Sequence, residues 1–71
     1  MNAVQEQYQW FVDSLLMSNE RYVREINEID NDHSIPKQSK DQMISSHMEY
    51  IERNNDVINE LRKFIEKFAN L

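Results

Sequence analysis

With no cysteine among 71 residues, the capacity of this sequence for acid–base or metal chemistry rests mainly on two histidines and thirteen carboxylates. His47 is the better placed, with Glu49 and Glu52 close by. Groups that cooperate on one helical face must stand three or four residues apart, however, and neither carboxylate does. No Glu-x-x-His pair occurs. Asp30, Asn31 and Asp32 bunch oxygen ligands as the start of a calcium loop does, but the loop's glycine and closing bidentate glutamate are missing. Nucleophile, base and orienting acid cannot be assembled, and without glycine there is no phosphate-cradling loop. The sequence therefore points to a protein that is not an enzyme and takes no cofactor or metal, with His47 a packing residue and His33 a solvated one.

What the sequence does carry is packing. Ile44, Ile51, Ile58 and Ile65 recur every seven residues, each directly preceded by another apolar side chain, Met43, Tyr50, Val57 and Phe64; Leu71 closes the second series. A strict seven-residue repeat keeps one seam of an underwound helix facing a partner, in a left-handed supercoil. With the isoleucines at heptad position a, His47, Asn54, Leu61 and Phe68 fall at d, and Met43, Tyr50, Val57 and Phe64 at g. A two-stranded seam needs only a and d. The apolar g column predicts that this helix is covered from a second direction, in a bundle of at least three helices.

The first half has the same period. Val4, Tyr8, Phe11, Val12, Leu15, Asn19, Tyr22, Ile26 and Ile29 fall within about 60° of one line at roughly 100° per residue. Turn formers collect from Asp30 to Ser39, including Pro36, which cannot sit deep inside a helix. One domain over residues 1–71 follows, with helix A over about 2–30, a connection over about 31–35 and helix B over about 36–70. Helix B begins with Ser34 as N-cap, or with Ser39 and Gln42 as a capping box, the earlier start being preferred. The fold class is all-α, a two-helix antiparallel hairpin of coiled-coil type. Placing Ile29 beside Ile44 at the turn makes residues whose numbers sum to 73 share a layer. Tyr22 then meets Ile51, Leu15 meets Ile58, and Tyr8 meets Ile65. In the flanking column Asn19 meets Asn54, an expected polar layer that sets register.

Composition bounds the partners. At this size, without disulfides, one core barely offsets the entropy of folding, so self-association is expected. Hydrophobic residues at 39% and charged residues at 30% argue against disorder. No apolar run approaches the roughly 20 residues of a membrane span, and the N-terminus lacks the pattern of a signal peptide, so a cytoplasmic location is expected. A net charge of −5 disfavours nucleic acid and anionic lipid. Short length and abundant Asn, Ile, Glu and Lys suggest a bacterial or bacteriophage origin.

Trp10 and Met17 stand opposite the helix A seam, in line with Ala3 and Arg24. Trp and Arg are enriched among binding hot spots, so Trp10, Met17, Arg21 and Arg24 are the candidate partner-binding residues. Tyr50, Val57, Ile58, Phe64 and Ile65 are the candidate oligomer core. The functional expectation is a protein–protein interaction module, a small adaptor, regulator or inhibitor, that pairs with a second copy as a four-helix bundle. This architecture resembles the dimeric RNA-binding hairpins of plasmid copy control and the hairpin co-chaperones of type III secretion. The resemblance implies two alternatives, an RNA-binding four-helix-bundle dimer or a chaperone-like subunit of a secretion or phage assembly. No motif carries a functional residue over.

Overall fold

The computed structural model describes residues 2–69. Helix α1 spans Ala3–Asn31 and α2 spans Lys37–Ala69, packed antiparallel as a hairpin 54 × 14 × 10 Å. Leu71 and the expected end of helix B at residue 70 lie outside the described residues.

Helix α1 starts at a reciprocal cap. The Asn2 side-chain oxygen accepts the Gln5 backbone N–H at 2.9 Å, and Gln5 Oε1 accepts the Asn2 N–H at 3.0 Å, so two otherwise unpaired donors are satisfied. The same Gln5 side chain donates from Nε2 to the Ile65 carbonyl at 3.1 Å, which ties the start of α1 to the far end of α2. Gln5 is buried, and its amide uses both ends. Its polarity keeps it out of any apolar stripe drawn from sequence.

The reversal over residues 32–36 is built without glycine, because no residue in it takes a positive φ. The Asp32 carboxylate accepts the Ser34 backbone N–H at 2.9 Å and its hydroxyl at 2.6 Å, and the Ile35 N–H bonds to the Asp32 carbonyl. Lys40 donates to the Asp30 carbonyl at 2.8 Å and closes the turn from the other side. Ser34, expected as the cap of helix B, is held on Asp32. Pro36 instead supplies the carbonyl that accepts the Lys40 N–H at 3.0 Å, and the helix proper begins at Lys37. Proline needs no N–H partner there and has its φ already set for the first turn.

The seam follows the register of about 73. Asn54 Nδ2 donates to Asn19 Oδ1 at 2.9 Å, and Asn19 Nδ2 donates in turn to Asn55 Oδ1 at 3.0 Å. Tyr8 stacks on Phe64 and Phe68 with ring centres 5.9 and 6.0 Å apart, and Tyr22 stacks on Tyr50 at 5.6 Å. Yet the only buried hydrophobic side chains among the described residues are Val12 and Ile58. Leu15, Tyr22, Ile26, Ile44, Ile51, Leu61 and Ile65 remain half-buried, because one neighbouring helix covers each of them from one side only.

Two outcomes follow from this core. Ile58→Asp puts a charge at the one α2 position that is 2% exposed, and circular dichroism should record loss of the folded hairpin. Asn19→Ala leaves the Asn54 amide short of its partner and should lower stability by about 1–2 kcal/mol in urea titration. The paired change Asn19→Leu with Asn54→Leu should recover that stability while multiplying amide peaks in NMR spectra, as the helices lose a unique register.

The turn contributes one pH dependence. Its two hydrogen bonds from Ser34, hydroxyl first and backbone N–H second, hold the Asp32 carboxyl below its ordinary 3.8, with Lys40 and His33 adding favourable charge. A depressed carboxylate stabilises the fold above its unfolded pKa and loses that contribution as pH falls through the folded value. The melting temperature of the native chain should exceed that of Asp32→Ala at pH 5, and the gap should close toward pH 2.

Candidate interaction surface

The stacked rings determine which side of the hairpin each outer residue occupies. Tyr8 and Tyr22 lie against Phe64 and Tyr50, so the g column of α2 shares their side. On α1, Val4 and Phe11 stand four residues before and three after Tyr8 and take that side too. One broad face therefore gathers Val4, Phe11, Met43, Tyr50, Val57 and Phe64, each between 41 and 48% exposed. The opposite face is more polar. There Asn19 bonds Asn55, and Leu16 and Val23 edge a shallow depression shared with Glu20 and Arg24.

Of the residues expected in an oligomer core, Tyr50, Val57 and Phe64 are on this open face. Ile58 is not: it is buried within the single chain, and Ile65, half-buried with its carbonyl on Gln5, belongs to the same internal seam. The reason is helical angle, since position a points at α1 whereas g points beside it.

The chain exposes 5598 Å², more than the roughly 4,700 Å² of a compact protein of its mass, as an elongated two-helix hairpin must.

The face is not uniform along its length. Near the chain termini Ala3, Glu6, Gln7, Tyr8, Trp10, Phe11 and Leu61 line an open, largely apolar groove of about 790 Å³. Trp10 is 71% and Met17 69% exposed, on the outward side of α1. Arg24 borders the depression on the other face, while Arg21 lies 5.4 Å from the centre of the Tyr22 ring and 3.9 Å from Glu25. Trp10, Met17 and Arg24 thus keep to one outward line of α1, with Arg21 beside it and turned toward Tyr22.

Toward the turn the α1 side of the face becomes polar, with Ser18 and Glu25, while Met43 and Tyr50 keep its α2 side apolar. His47 Nε2 stands 2.7 Å from Glu25 Oε2, its Nδ1 stands 2.8 Å from the Met43 carbonyl, and the Tyr22 ring meets it edge-on. Both partners are acceptors, so the two bonds coexist only when both ring nitrogens carry a proton. Sequence spacing could not find this contact, because Glu25 comes from the other helix. Register could have, since 25 and 47 nearly satisfy the sum that pairs the seam.

Among the described residues no group of three or more His, Asp or Glu side chains could hold a metal ion, and no helix is long and apolar enough to cross a membrane. Comparison with protein-family models, with curated proteins and with solved structures gives no match to this chain. The surface must therefore be interpreted from its own chemistry.

The cross-helix His47–Glu25 hydrogen bond is partly exposed, with side chains 20 and 40% accessible. A double-mutant cycle with Glu25→Gln and His47→Phe should return a coupling of about 0.5–1 kcal/mol in urea unfolding.

Proposed function

We propose that this protein is a non-enzymatic interaction module whose first partner is a second copy of itself, the two hairpins closing face to face into a four-helix bundle. The observation that carries this reading is the contiguous, half-exposed apolar face of Val4, Phe11, Met43, Tyr50, Val57 and Phe64. Covering the remaining half of such side chains contributes about 1 kcal/mol each, a large share of the stability available to a chain this small. The seven-residue period of both helices suits it, because supercoiled helices keep their outer columns aligned along the whole contact.

In such a bundle the outward side of α1 stays accessible. Trp10 and Met17, the most exposed large hydrophobics of the chain's described part, then serve as the anchor for a further protein, in an adaptor, regulator or inhibitor role. RNA is the weaker reading, since Arg21 is engaged by Glu25 and Tyr22 and the basic residues are interleaved with acids.

Light scattering tests the first part. Val57→Glu combined with Phe64→Glu should reduce the mass to the 8.6 kDa of a single chain, and retention of the wild-type mass would exclude this face as the contact. Trp10→Ala should leave the mass unchanged but remove proteins that co-purify with the wild type from a native lysate.

A further inference from the structure

We infer that Glu25 and His47 hold one extra proton between them, and that this proton clasps the two helices together at the turn half of the open face. The clasp belongs to the single hairpin and needs no second chain.

It follows from a count of donors and acceptors. His47 Nδ1 stands 2.8 Å from the Met43 carbonyl, which can only accept, and Nε2 stands 2.7 Å from Glu25 Oε2. A neutral imidazole carries one N–H. Beside an ionised carboxylate, one of these two short contacts would then set lone pair against lone pair. A proton on either group removes the conflict. An imidazolium donates at both ends; alternatively, a protonated Glu25 donates to Nε2 while the Nδ1–H serves Met43. The geometry thus sets the number of protons in the cluster, whichever atom carries the last one.

The surroundings favour the imidazolium. Arg21 Nε lies 3.9 Å from Glu25 Oε1, the oxygen that His47 does not use, so an ionised Glu25 has a cation at each end. A protonated Glu25 would forfeit both attractions. Tyr22 is the other titratable group of α1 against the ring, which it meets at 5.4 Å with the planes 86° apart. From α2, Met43 contributes only its carbonyl, and Tyr50 reaches the cluster through Tyr22, on which it stacks. Among the described residues no further charged side chain lies within ion-pair distance of Glu25 or His47.

Histidine is the side chain that ordinarily changes charge between about pH 5 and 8. In the unfolded chain the helices are apart, and nothing retains the extra proton. Wherever the folded form holds more protons than the unfolded one, stability falls as pH rises. This is opposite in sign to the Asp32 turn, whose contribution is lost on acidification. Once the proton leaves, the ring can keep one contact only. If it keeps Met43, the helices lose their link at this layer; if it keeps Glu25, Nδ1 must turn away from the carbonyl. Either change moves the ring against Tyr22 and so reaches Tyr50 on the open face.

The test compares melting temperatures of the native chain, Glu25→Gln and His47→Phe at pH 5.5 and pH 8, at one protein concentration. Glu25→Gln keeps the shape, but its amide can donate to a bare Nε2 and satisfy the neutral ring. His47→Phe removes the titrating group, and His33 is common to all three chains. The native chain should lose about 2–5 °C more than either variant on going to pH 8, as fits a partly exposed contact in a chain of this size. Equal losses in all three would overturn the clasp. Proton NMR of the native chain gives a second reading that requires no variant. Two imidazole N–H signals from His47, slowed in exchange by Glu25 and Met43, should be present at pH 5.5 and at most one at pH 8. A single signal or none at pH 5.5 would overturn it as well.

Discussion

Two parallel rods touch along a line, and a line contact can shield each rod from one direction only. That constraint shapes every part of this hairpin. Only Val12 and Ile58, near the middle of the seam, escape water among the hydrophobic side chains described. Everything beside them is half-covered, including the isoleucine column that dominates the second helix. The aromatic residues respond to the shortage. Tyr8 and Tyr22 lie flat against rings of the other helix, which extends the covered strip sideways without closing it.

A second consequence concerns register. Isoleucines seven residues apart are degenerate, because sliding one helix by a heptad puts isoleucine where isoleucine was. The polar contacts are not degenerate. Asn19 bonds both Asn54 and Asn55, and Glu25 bonds His47, so each would be broken by a slip. We regard these bonds as the source of uniqueness and the apolar column as the source of cohesion. The turn supports the same alignment at one end through Asp32, Ser34 and Lys40.

The helices and their opposed faces were legible from sequence because the heptad period is a direct image of packing, and the sum that pairs Ile29 with Ile44 also brings Asn19 to Asn54. Three features were not legible. Gln5 reads as polar surface, and only the cap geometry turns it inward. Ser34 reads as a cap, but a competing bond to the Asp32 carboxylate takes its hydroxyl. The Glu25–His47 pair spans two helices, so periodicity within either one is silent about it. Ile58 and Ile65, expected in an oligomer core with Tyr50, Val57 and Phe64, lie one residue further along the helix, and that rotation turns them toward α1. Function was less legible still, since an apolar face records the shape and polarity of what could cover it and little about its identity.

In the dimer proposed above, a second copy of this chain completes the open face of Val4, Phe11, Tyr50, Val57 and Phe64. Folding coupled to association makes the melting temperature depend on protein concentration, whereas a self-sufficient hairpin melts at one temperature throughout. Thermal unfolding of the unaltered chain over about a hundredfold range of concentration measures this directly. A dimer should give a melting temperature that climbs steadily with concentration; a constant value, with the chain fully helical at the lowest concentration, would contradict it.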